Sequence, residues 1–266
     1  MRTGASLLIL LLIAAATVAP TSSQAQSDDY SHYVSPWKTP WDYRGPRGPA
    51  HWSKLDPAYA ICNAGKEQSP IDIRNPRKAH LPPLRFEYKN EPIRYVINNR
   101  YTIRVNYHDA PGTGSFLVIG NKRYHLIQFH FHHPSEEYVN GKRYPMALHL
   151  MHQGSDGEVL GVAVFLKAGR ANPTVQRVFD HMPPTEGQLG VPGVELNPAG
   201  MLPHDKAYYM YMGSPAAPPC TEGVRWIVLK TPVEVSAAQI KAFAKLFPDD
   251  ARPLQPLNGR VIEESE

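Results

Sequence analysis

The chain of 266 residues has only two cysteines, Cys62 and Cys220. Two thiols so far apart in sequence cannot by themselves form a four-ligand zinc site. Basic blocks are also absent. The 28 Lys and Arg residues are scattered, without interleaved aromatics, and the net charge is only +4, which argues against nucleic acid as a partner. No internal repeat is visible. Long apolar runs are missing as well, since the longest, Leu7 to Ala19, would barely cross a bilayer core of about 30 Å. It follows a positive charge at Arg2 and leads to small residues around Ala25, the pattern of a secretory signal peptide over residues 1–25. Cleavage there leaves no stable membrane span and sends the chain to the periplasm or outside the cell. An oxidising compartment allows Cys62 and Cys220 to pair, the alternative being two separate buried thiols.

Helical periodicity is scarce. The 27 prolines oppose long helices, and the best helical stretch is SAAQIKAFAKLF, opened by Ser236 as a candidate N-cap. After a polar tail over residues 26–36 comes a Trp- and Pro-rich arm whose Trp37, Trp41 and Trp52 imply an ordered segment laid over the domain. From Pro70 onward, short β-branched or alternating runs recur between turn signals: LRFEYKN, RYVINN, YTIRVNY, GSFLVIG, KRYHLIQFHFH, MALHLMH, GEVLGVAVFLK and VRWIVLK. No linker divides them. The expectation is a mainly β single domain over residues 37–266.

The stretch QFHFHHP is the densest chemical signal. On a strand, His130 and His132 share one face while Phe129, Phe131 and His133 share the other. Two imidazoles on one face can converge on a divalent metal, or they can be hydrogen-bonded core residues, and HxH alone does not decide between these. A turn through Asn140-Gly141 can return the run PMALHLMH antiparallel to the first, so that His149 completes a three-histidine set. Three protein ligands leave a fourth position open, the arrangement of a catalytic zinc.

In order along the chain, QSPIDI, QFHFHHPSE, ALHLMH, GSPAAPPCTEGVRWIVLK and RPLQPLNGR together resemble the α-class carbonic anhydrases, particularly the exported bacterial ones. The resemblance runs from about Trp37 to Ile262. It implies a large, twisted, mostly antiparallel central sheet with short flanking helices, and zinc at the bottom of a conical cleft. By resemblance, His130, His132 and His149 are the zinc ligands, Gln128 supports His130, and Cys62 pairs with Cys220. Met151, Gly161, Pro215, Ala216, Ala217 and Trp226 fall on the substrate pocket. The implied reaction is reversible hydration of carbon dioxide to bicarbonate and a proton, with hydroxide generated at the zinc.

Three parts usual in that family are absent. Ala216 stands in place of a threonine whose hydroxyl links the metal's hydroxide to a glutamate, here Glu136. Ala147 stands in place of a glutamate that orients the third histidine. Tyr101, beside Arg100, stands at the position of a proton-shuttling histidine, and a phenol titrating near 10 is a poor shuttle at neutral pH. The expectation is therefore an enzyme slower than the fast members. A zinc-binding protein without turnover and a zinc hydrolase acting on small esters are the alternatives.

Overall fold

The computed structural model describes residues 37–107 and 114–266, together with Met1. The expected signal peptide and polar tail, Met1 apart, lie outside the described residues. Wherever side chains alternate in character, the backbone is extended. The resulting strands of the central sheet are β1 (Arg77–Ala79), β2 (Leu84–Glu87), β3 (Tyr95–Asn98), β4 (Ile103–Asn106), β5 (Phe116–Ile119), β6 (Lys122–His132), β7 (Met146–Gly154), β8 (Val159–Ala168), β9 (Gly187–Gly190), β10 (Tyr208–Gly213), β11 (Val224–Val235) and β12 (Glu263–Ser265). In space they run β9-β3-β4-β6-β7-β8-β11-β10-β12-β1, with β5 beside β6 and β2 beside β5. Neighbours are antiparallel except β8 with β11 and β12 with β1. The mainly β, mostly antiparallel expectation holds.

The helices are short: α1 (Trp52–Leu55), α2 (Ile61–Ala64), α3 (Pro173–Phe179) and α4 (Ala237–Leu246). Ser236 caps α4 through a capping box with Gln239, which satisfies two otherwise orphaned backbone groups. Helices α3 and α4 cover one face of the sheet, where Phe131 meets the rings of Phe179 and Phe243 at 5.0 and 6.0 Å. Phe129, Leu148 and Leu150 are fully buried in the same core. Each such side chain contributes about 1.5–3 kcal/mol by burial.

Simple alternation along β6 would put Leu126 on the face of Gln128, His130 and His132. The strand avoids this with a bulge: Met151 of β7 pairs with Gln128 but His152 pairs with Leu126, skipping Ile127. Tyr124 and Leu126 before the bulge, and Phe129 and Phe131 after it, therefore all reach one core. The histidines keep the opposite face. The connection to β7 turns at Asn140 and Gly141, both at positive φ (49° and 76°), with mutual backbone hydrogen bonds between Val139 and Lys142. Those dihedrals are what a tight two-residue hairpin demands of its central residues.

Candidate metal centre

His149 of β7 lies directly across from His130 of β6, and Ala147 across from His132. This register gathers the three imidazoles, with ring centroids 4.8–5.3 Å apart, and one ring nitrogen from each lies within 4.8 Å of the other two. The remaining nitrogens are tied to acceptors. His130 Nδ1–H donates to Gln128 Oε1 at 2.8 Å, His132 Nδ1–H to the Asp250 carbonyl at 2.7 Å, and His149 Nε2–H to Glu137 Oε2 at 3.3 Å. Each acceptor fixes the tautomer, so His130 Nε2, His132 Nε2 and His149 Nδ1 turn lone pairs inward. Burial, followed by the neighbouring imidazoles, pushes His130 and His132 well below the usual histidine range, which keeps them neutral. Burial also pushes His149 down, but the Glu137 and Glu136 carboxylates leave it raised.

Acidic groups surround the set. Glu136, Glu137 and Asp250 are each 1–2% exposed, and Arg252 is the one buried lysine or arginine among the described residues. Glu136 Oε1 accepts the Arg252 backbone N–H at 2.9 Å, while its Oε2 lies 3.5 Å from His132 Nε2 and 3.9 Å from His149 Nδ1. Burial pushes Glu136 up to about 8 and Asp250 well above the carboxylate range. Three inward lone pairs ringed by excess buried carboxylate suit a divalent cation, whose charge would offset that excess. The residues present thus fit zinc.

Above the histidines opens a cavity of about 190 Å³. Met151, Pro215, Ala216, Ala217 and Trp226 are among its lining residues, as are Trp37, Trp41, Tyr101 and Arg104. Gly161 does not line it, a correction to the pocket expected from the sequence. It faces Trp226 across the β8–β11 pairing, and a Cβ there would stand 2.6 Å from that ring. Glycine at this position admits the indole and leaves no extra room in the cleft. Tyr101 stacks on Trp41 with centroids 3.9 Å apart, and its hydroxyl accepts the Trp41 N–H at 3.3 Å. Burial raises this phenol further. Arg100, next to Tyr101 in sequence, pairs with Asp42 at 3.0 Å and is not among the residues lining the cavity. His133 points away, its backbone N–H donating to Asp250 and its ring to the Pro248 carbonyl.

Cys62 and Cys220 are joined in a disulfide. Both are buried with Trp41, Trp52, Tyr59 and Tyr101, with Trp37 and Ala217 packed against them, so the arm, the bridge and one cleft wall form a single cluster.

Glu137, Asp250, Arg252 and Arg104 were not among the expected site residues. Asp250 acts through its backbone carbonyl, which no side-chain pattern discloses. Glu137 carried a readable sign, a second carboxylate next to Glu136 in a sequence lacking one at position 147.

The family model described as eukaryotic-type carbonic anhydrase matches residues 47–266. A carbonic anhydrase of Nostoc is 38% identical over 231 residues, 85% of this chain and 86% of that protein. One from Klebsiella pneumoniae is 39% identical over 232 residues, covering 87% and 93%. The solved α-carbonic anhydrase of Thermovibrio ammonificans, in complex with sulfanilamide, superposes with a TM-score of 0.80 at 41% identity, covering 86% of this chain and all of that one.

Proposed function

The chain belongs to the eukaryotic-type, or α-class, carbonic anhydrase family, and from that membership we propose that it is an exported zinc enzyme hydrating carbon dioxide reversibly to bicarbonate. The observation that carries this reading is the convergence of His130, His132 and His149 with every outward nitrogen bound to an acceptor. Zinc held there would supply Lewis acidity, which brings the pKa of coordinated water to about 7 and makes hydroxide available near neutral pH.

The chain's own residues do the rest. Gln128, the Asp250 carbonyl and Glu137 hold the rings in place. The apolar lining residues Met151, Pro215, Ala216, Ala217 and Trp226 can receive an uncharged gas without competing hydrogen bonds. Glu136 Oε2 faces two inward nitrogens, but no hydroxyl at position 216 relays its acceptor to the reacting oxygen. Missing one such pre-organised hydrogen bond costs about 2–4 kcal/mol of transition-state stabilisation, two to three powers of ten in rate. With Tyr101 engaged by Trp41, the product proton must leave through water and buffer. This supports an enzyme slower than relatives with the threonine and the shuttle histidine.

Export is supported by the buried disulfide and by the leader-like N-terminal sequence. No helix of the described residues is long and apolar enough to cross a membrane.

The test is zinc content and carbon dioxide hydration on one sample. One zinc per chain with turnover, both lost in His149→Ala, is the expected result. Turnover unaffected by His149→Ala would overturn the reading, and zinc without turnover would leave a zinc-binding protein on the same fold.

A further inference from the structure

Ala147 stands on β7 two residues before His149, where the family resemblance implies a glutamate that orients this histidine. A methyl group cannot do so. Yet the outward nitrogen of His149 still meets a carboxylate, delivered from the connection between β6 and β7. We propose that Glu137 is the positioning residue for His149, replacing across the fold the carboxylate that Ala147 lacks. This rests on the zinc-centre reading above.

The surroundings of Glu137 are those of a fixed orienting group. Its side chain and that of His149 are 1–2% exposed and stand 3.3 Å apart, Oε2 to Nε2. The other oxygen accepts from the Tyr211 hydroxyl at 3.5 Å, and that hydroxyl lies 3.1 Å from Ser69 Oγ. The backbone is held too, because Ser135 Oγ–H donates to the Glu137 carbonyl at 3.0 Å and itself accepts the Tyr144 N–H. No lysine or arginine pairs with Glu137 among the described residues. Among those residues its ionic partner is His149. Burying a carboxylate with no cation beside it is expensive. The arrangement becomes favourable once the imidazole N–H opposite is polarised by a cation on its inner nitrogen, which is how carboxylates beyond a metal's ligands raise ligand basicity and fix ring orientation.

Tyr211 offers a competing explanation, that Glu137 merely accepts a core hydrogen bond. The two roles separate in a relocation experiment. Zinc dissociation constants and release rates, measured by competition with a chromogenic chelator, are compared for the wild type, Glu137→Ala, Glu137→Gln and Glu137→Ala combined with Ala147→Glu. The cobalt(II) absorption spectrum of each reports ligand geometry. Glu137→Ala should weaken zinc binding about 10–100-fold. Glu137→Gln, which keeps an acceptor but not the charge, should lose less. The double variant, whose new carboxylate reaches His149 from β7 and not Tyr211, should recover affinity to within a few-fold and restore the wild-type cobalt spectrum.

Unchanged zinc affinity in Glu137→Ala would overturn the proposal, as would a loss that the double variant fails to recover. If Glu137→Ala does not fold, Glu137→Gln decides: zinc release several-fold faster supports the role, and an unchanged rate refutes it. Failure of the zinc-centre reading would appear separately, as a wild-type protein that takes up no zinc.

Discussion

Replacing both Cys62 and Cys220 by alanine removes the covalent link between the N-terminal arm and the segment that carries Pro215, Ala216 and Ala217. The two positions are separated by 158 residues. In the chain-entropy picture a loop of that length loses about 17 cal/mol/K when closed, so the bridge contributes about 5 kcal/mol at 25 °C. That is a large share of a typical total of about 5–15 kcal/mol. Alanine is the right replacement because both sulfurs are buried beside Trp41 and Trp52, where serine would add unpaired hydroxyls. The cysteine carbonyls are structural as well: Arg252 Nη2 donates to that of Cys62 at 2.6 Å, and Gln68 Nε2 to that of Cys220 at 3.0 Å. Urea unfolding followed by tryptophan fluorescence should show a midpoint lower by about 2 M, taking an m-value of about 2–3 kcal/mol/M. Reducing the wild type should give the same shift. A midpoint unchanged in the double variant would refute the argument that this crosslink constrains the unfolded chain.

Three further outcomes follow from the structure. His152 is buried, with Nε2 2.7 Å from the Tyr88 hydroxyl, and burial pushes it down to about 3. As pH falls below about 6.5 the unfolded chain takes up this proton first, so stability is lost from there toward about 3 by up to about 1.4 kcal/mol per pH unit; the metal-free His152→Gln variant should show a visibly flatter stability–pH curve over pH 6–4, and an identical slope would contradict the assignment. Trp37 donates its indole N–H to the Pro218 carbonyl and packs edge-on to Trp41 and Tyr101 at the cleft. Trp37→Ala should speed hydrolysis of a bulky aryl ester several-fold with carbon dioxide turnover nearly unchanged, and equal loss of both would mean that the indole is structural only. Stripping zinc with a chelator should lower stability, by about 4 kcal/mol relative to protein held at a thousand times the zinc dissociation constant, measurable as a shift in the thermal or urea midpoint.

Much of this was legible because period-two patterns leave strong marks. All eight β-branched or alternating runs form strands, and the HxH pair with a later histidine lands on facing positions of β6 and β7. Strand β10, YYMYMG, went unread because tyrosine and methionine give no polar face to contrast with a core face. Short β1 and β12 have too few residues to show a period, and β9, GQLG, has one apolar side chain and two glycines, so all three are defined by their neighbours. Helix α3 had an Asn-Pro start, with Asn172 capping Thr174 and Val175, but its seven residues hold too few turns for a visible stripe. The bulge at Ile127 and the reach of Glu137 to His149 arise from tertiary register, which alternation does not encode. Gly161, placed on the substrate pocket by resemblance, instead faces its cross-strand neighbour. Trp226 occupies the space.

The central claim, turnover at a three-histidine zinc site without the usual hydroxyl, is tested most directly by stopped-flow carbon dioxide hydration on zinc-loaded wild type and Ala216→Thr side by side. The account predicts wild-type turnover above the His149→Ala background, with Ala216→Thr faster by about 100- to 1000-fold. Zinc-loaded wild type at background, with no gain from Ala216→Thr, would contradict it.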